Sequence, residues 1–181
     1  MIYPEKSLIR QNGTLTLRSA RKEDAADLLT YLKQTAAETP YLLREPEEVT
    51  ITLEQEEAFL ERNEKEPGSL MLIAFVDGHH AGNCSVKPLG DRLRYRHRCS
   101  ISIALYLKYC GMGIGETMLR EVLAAAKEMG YEQAELEVVA SNRRAKALYE
   151  KLGFVSYGRF PDNMKYKDGT YEDCEWMMRK L

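Results

Sequence analysis

The segment Cys110-Gly111-Met112-Gly113-Ile114-Gly115-Glu116 carries the most informative chemistry in the chain. Glycines at alternate positions let a backbone turn tightly and come close to a ligand. The segment lies where a strand-like run passes into a helical one, so the first N–H groups of that helix point out of the turn. Those unbonded donors, at the positive end of the helix dipole, suit phosphate. A dinucleotide-binding G-x-G-x-x-G would need glycine where Glu116 stands, and a P-loop would need Gly-Lys-Ser/Thr to follow. Taken alone, Gly111, Gly113 and Gly115 also fit an ordinary tight strand–helix turn.

A second segment, Leu136-Glu-Val-Val-Ala-Ser-Asn-Arg-Arg-Ala-Lys-Ala-Leu-Tyr-Glu-Lys-Leu-Gly-Phe154, resembles the last motif of the GNAT superfamily of acyl-CoA-dependent N-acyltransferases. In that family the motif is paired with a glycine-rich turn upstream, and here Asn142 lies 27 residues beyond Gly115. The closing stretch Asp168-Gly-Thr-Tyr-Glu-Asp173 also looks like the tail of many members, so the resemblance covers about residues 13–181. It implies an α/β (α+β) fold with a mixed, mostly antiparallel central sheet and helices on both faces, in a single domain over 1–181. It also implies acetyl-CoA as co-substrate; the scattered cysteines and the turn histidines His79 and His80 separately lead to the expectation of no metal.

The resemblance assigns roles by position. Gly111, Met112, Gly113, Ile114, Gly115 and Glu116 match the turn that cradles the coenzyme pyrophosphate. Ile103, Ala104 and Leu105 match the splayed strand whose backbone holds the pantetheine arm, and Asn142 completes the cofactor set. One departure is plain: the family usually has Arg or Gln where Cys110 stands, which puts cofactor affinity in question. Cys110 also raises the idea of a thiol activated at a helix N-terminus, against the blander reading of a small, partly buried residue. Tyr149 stands at the position of the family's tyrosine acid, seven residues after Asn142, which places both on one helical face. A phenol of pKa about 10 suits a donor to the departing thiolate, and the alternative is a core aromatic on an apolar stripe. Glu137 matches the glutamate base of members that acetylate protein N-termini; the alternative is a solvent-facing glutamate in the run Glu132, Glu135, Glu137. Other members carry a carboxylate roughly where Ser100 stands here.

The resemblance implies an amine acceptor, either a small cationic molecule or one carried by a peptide or protein, and the residues leave both open. Residues 41–67 hold nine glutamates against Arg44, Arg62 and Lys65, a field that would draw a cation or simply a solvated helix face. The resemblance leaves room for a homodimer. A second class of function is a catalytically idle acyl-CoA-binding regulatory protein; the presence of Glu137 and Tyr149 favours the enzyme.

These residues need elements to position them. The spacing predicts a strand over 14–18 after an Asn12-Gly13 turn, and a helix from Asp24 to about Glu38 with an apolar stripe of Ala26, Leu28, Leu29, Leu32 and Ala36. A second helix follows from Leu53 to Glu66, then a strand over Leu70–Val76. An Asp77-Gly78 turn, with His79 and His80 as solvated turn residues, leads to a partner near Ala81–Pro88. A long strand runs from the Gly90-Asp91 turn to about Leu105, with Arg92, Arg94, Arg96 and Arg98 on one face of a charged hairpin rim. A helix over 114–129, a strand over Gln133–Val139, a helix around Ala145–Leu152 and strands over Phe154–Phe160 and Glu172–Arg179 complete the chain.

Composition narrows the classes. The net charge of −2 and pI near 6.0 argue against a general nucleic-acid binder. No run approaches the ~20 apolar residues of a membrane span, and the first ten residues have no apolar signal core. Cys84, Cys99, Cys110 and Cys174 are scattered, with no zinc-ligand spacing, which fits a cytoplasmic protein without disulfides.

Overall fold

The computed structural model describes residues 1–11 and 13–181, so Asn12 of the expected Asn12-Gly13 turn lies outside the described residues. The chain runs β1 (Lys6–Arg10), β2 (Gly13–Ser19), α1 (Ala25–Glu38), α2 (Leu53–Lys65), β3 (Leu70–Val76), β4 (His79–Pro88), β5 (Arg98–Leu105), α3 (Ile114–Glu128), β6 (Gln133–Val139), α4 (Arg143–Lys151), β7 (Val155–Lys165) and β8 (Tyr171–Lys180). Among the described residues these strands form one sheet in the order β1-β2-β3-β4-β5-β6-β8-β7. Every neighbouring pair is antiparallel except β5 with β6.

Helices cover both faces, as the resemblance implies. Ile114, Met118, Leu119, Val122 and Ala126 form the buried stripe of α3 and pack on Leu17, Leu72, Val86 and Ile101 of the sheet. On the opposite face Leu28 and Tyr31 of α1 and Leu60 of α2 pack on Ile73 and Tyr106. Each fully buried leucine or isoleucine in these layers contributes about 1.5–3 kcal/mol. The start of α2 is a capping box, with Gln55 N–H donating to Thr52 Oγ1 at 3.3 Å and Thr52 N–H to Gln55 Oε1 at 3.0 Å.

The structure corrects four local expectations. An additional strand, β1, precedes the expected first one; it is an almost fully exposed edge and so carries no alternating pattern to read. Residues 91–97 are not strand: Tyr95 and Arg96 N–H groups both bond back to the Arg92 carbonyl, at 2.8 and 2.9 Å, and the rim closes as a turn. Only Arg98 of the arginine run lies on a strand, where its guanidinium sits 4.2 Å from the Tyr95 ring centre. In α1 the buried positions are Ala25, Leu28, Tyr31 and Thr35, while Ala26 faces solvent. His80 is not a solvated turn residue either: it is the second residue of β4, 4.8 Å from the Tyr31 ring and 2.8 Å from Asn83 Oδ1. Burial pushes its pKa down, which favours the neutral imidazole.

Candidate active site

The parallel contact between β5 and β6 lasts for three residue pairs, Arg98 with Gln133, Cys99 with Ala134 and Ser100 with Glu135. Beyond them the strands part. β5 continues to Leu105 bonded only to β4, and β6 continues to Val139 bonded only to β8. The facing edges therefore keep backbone donors and acceptors without a strand partner, the arrangement an extended amide-bearing chain needs. An ion pair closes the base of this split: Arg98 Nε donates to Glu135 Oε1, and Nη2 to Oε2 at 2.6 Å. The Arg98 guanidinium, more than any other neighbour, holds the Glu135 carboxyl below the usual range despite its burial.

Ile103, Ala104 and Leu105 form the end of β5 beside the split. The Ala104 carbonyl already accepts the Tyr31 hydroxyl at 2.8 Å, so α1 braces this strand. Glu38, at the end of α1, accepts the Leu107 N–H at 2.6 Å and steadies the short 3-10 turn that leads to the glycines.

Gly111 and Gly113 both adopt left-handed φ angles, +82° and +74°, which a residue with a Cβ enters only at a cost. Gly113 is the N-cap of α3, leaving the Ile114, Gly115 and Glu116 N–H groups without acceptors inside the helix. At Gly115 space decides instead: a Cβ there would press to 3.2 Å from Leu105 Cδ1, so glycine lets α3 sit close to β5. The Glu116 carboxylate would repel a phosphate, but Lys151 at 2.6 Å and Arg120 at 2.9 Å neutralise it. Met112 packs partly into the core below the turn.

Cys110 is half-buried, and its Sγ lies 3.7 Å from the Tyr106 carbonyl. Burial pushes its thiol up, outweighing the opposite pull of Arg144, which argues for the blander reading of a small, half-buried residue. Asn142 caps α4, its side-chain oxygen accepting the Ala145 N–H at 3.2 Å. Its amide nitrogen bonds to no described residue.

Tyr149 and Glu137 lie on opposite faces of the sheet. Tyr149, only 7% exposed, belongs to the α3/α4 core with Leu136 and Val138, and its hydroxyl bonds to no described residue. Burial pushes its pKa up, so the phenol keeps its proton. Glu137, alternating between Leu136 and Val138, projects from the other face and is exposed. Asn163 Nδ2 donates to its Oε1 at 2.7 Å, and Trp176 Nε1 to its Oε2 at 2.9 Å. Sequence reasoning missed both partners, as it missed Tyr31 and Arg10. Trp176 stands opposite Glu137 in the β6–β8 register and stacks on Tyr157 with ring centres 6.3 Å apart; Phe160 lies 5.9 Å away.

The connection between α1 and α2 reaches the β7–β8 connection on this side. Tyr166 donates to the Pro40 carbonyl at 3.1 Å, and Lys167 pairs with Glu45 at 3.2 Å and with Glu47. Part of the acidic field is therefore spent internally, including Glu57 and Glu61, which pair with Lys22. The described residues hold no group of three or more His, Cys, Asp or Glu side chains that could bind a metal ion.

The fold that carries these residues is shared with known proteins. The profile of the acetyltransferase (GNAT) family matches residues 30–154. An acetyltransferase of that family from Streptococcus pneumoniae has a structure superposing with a TM-score of 0.87, at 28% identity over 92% of this chain and 99% of that one. A Bacillus subtilis protein named for alanine N-acetylation of ribosomal protein bS18 is 33% identical over 92 residues. That match takes in 51% of this chain and 58% of the relative, little more than half of its length. A Saccharolobus solfataricus N-alpha-acetyltransferase is 29% identical over 88% of this chain and 87% of its own length. The chain belongs to the GNAT acetyltransferase family, a class of acetyl-CoA-dependent enzymes.

Proposed function

We propose that the protein moves an acetyl group from acetyl-CoA to a primary amine by direct attack, with Tyr149 as general acid and Glu137 as base. The observation that carries this reading is the split between β5 and β6, with a protonated phenol on the α3/α4 face and a fixed carboxylate on the other. The residues fit the coenzyme: the glycine turn offers free N–H groups to phosphates, and the unpaired edges of Ile103–Leu105 and Leu136–Val139 suit the amides of a pantetheine arm. When bound, the thioester supplies an activated acetyl group and a thiolate leaving group.

Glu137 takes the proton of an ammonium approaching from the α1/α2 face. Trp176 and Asn163 each occupy one of its oxygens and fix its orientation, and each oxygen keeps a lone pair for the amine. Tyr149 donates its proton to the departing sulfur from below. The aromatic surface of Trp176, Phe160 and Tyr157 beside the carboxylate supports a cationic acceptor, since ring faces attract cations. That acceptor is a protein or peptide amine or a small cationic molecule. The four thiols, none in a disulfide, suit a reducing cytoplasm, and no described helix is long and apolar enough to cross a membrane.

The test is thiol release from acetyl-CoA in the presence of a panel of peptides with different N-termini, polyamines and amino-acid analogues. Acetylation of at least one amine above the uncatalysed rate is the expected result. Acetyl-CoA binding with no turnover on any of them would point instead to the idle regulatory class.

A further inference from the structure

We infer that Arg144, from the first turn of α4, is the phosphate-binding cation that takes the place of the side chain missing at Cys110. The inference rests on the proposed use of acetyl-CoA. Arg144 Nη2 lies 3.7 Å from where a Cβ on Gly111 would stand, and no other atom outside the turn comes within 4 Å of that position. The guanidinium is exposed and forms neither an ion pair nor a hydrogen bond with any described residue.

The other cations near the turn are committed. Lys151 and Arg120 hold Glu116. Lys108 sits over the rings of Tyr106 and Tyr109, 5.8 and 4.9 Å from their centres. Arg10 reaches from β1 to the Met112 carbonyl at 3.5 Å and to Thr117 Oγ1, holding the far side of the turn in place. That leaves one uncommitted guanidinium against Gly111, next to Cys110, whose thiol is turned to the Tyr106 carbonyl. A planar guanidinium matches two phosphate oxygens at once, so a single arginine from another element can supply what the turn itself does not.

Calorimetric titration of CoA into the apo protein tests this. A charge-assisted hydrogen bond carries about 1.5–3 kcal/mol, so Arg144→Ala weakens CoA binding roughly 10- to 150-fold. Its apo melting temperature stays within a degree or so of the parent's, because the exposed side chain makes no hydrogen bond or ion pair with any described residue. Arg143→Ala removes the adjacent exposed charge, which does not come within 4 Å of where a Cβ on Gly111 or Gly113 would stand, and changes affinity by less than about twofold. Adding Cys110→Arg to Arg144→Ala returns a donor to the turn and recovers most of the lost affinity. Equal losses in the Arg143 and Arg144 variants, no loss at Arg144, or no recovery with Cys110→Arg would each overturn the inference while leaving the acetyltransferase reading intact. A parent protein that takes up no CoA at all would overturn both.

Discussion

At the scale of single residues, the two candidate catalytic groups are distinguished by their surroundings. Tyr149 is a phenol kept protonated by burial, with its oxygen uncommitted. Tyr149→Phe removes only that oxygen, so the folded protein and its CoA affinity stay near those of the parent. An acid role gives a turnover loss on the order of 10²–10⁴; a rate within a few-fold of the parent would reduce Tyr149 to a core aromatic. Glu137 is a carboxylate fixed by Trp176 and Asn163. Glu137→Gln keeps the shape but not the base, so turnover falls at neutral pH and recovers as rising pH deprotonates the acceptor without help. Parallel pH profiles in variant and parent would show that Glu137 holds Trp176 and Asn163 and does no proton transfer. Such an outcome is physically reasonable, since positioning alone can supply about 7–11 kcal/mol of a barrier.

At the scale of elements, the start of α3 matters most. Its N–H donors face outward only because Gly113 turns the chain at a φ of +74°. Gly113→Val places a β-branched residue in the left-handed region, costing about 1–2 kcal/mol or more, and puts a Cβ 3.4 Å from Arg10 Nη1. The apo protein therefore melts a few degrees lower yet remains folded. The parent gains about 2.7 kcal/mol from a ligand at 100 times its dissociation constant, and this variant gains almost none. A full acetyl-CoA-induced rise in melting temperature in Gly113→Val would show that the turn is not the phosphate site.

At the scale of the whole molecule, the sheet is nearly two sheets, joined where β5 and β6 touch for three pairs and where Arg98 clamps Glu135. The Glu135 carboxyl sits below its ordinary 4.5 in the folded state. The folded protein then binds fewer protons than the unfolded chain between the two values. The pair's contribution is full above pH 4.5 and is lost as pH falls through the folded-state value. Glu135→Gln removes that contribution at neutral pH, so the variant melts lower than the parent at pH 7 and the difference narrows in acid. A gap that is constant or wider at low pH would mean that the clamp does not hold the sheet together.

The local pattern of residues determined much of this protein. The alternating glycines and the apolar spacing of α3 marked the turn and its helix, because each signal lies within a few turns of chain, while the resemblance of the run from Leu136 to Phe154 to a family motif pointed to Tyr149 and Glu137 as candidates. The class of fold followed from their order. Only the tertiary structure decided what those residues meet. Trp176 reaches Glu137 from 39 residues away, and Arg10 reaches Met112 from 102. Strand register and side-chain reach of that kind depend on how the whole sheet closes, which no local window records. β1 was invisible because an edge strand exposed on both faces has no period to detect, and residues 91–97 looked extended because alternating arginines imitate a strand. The split between β5 and β6 is likewise a property of the assembled sheet: both strands read as ordinary β segments, and their separation arises from the partners each keeps on its other side.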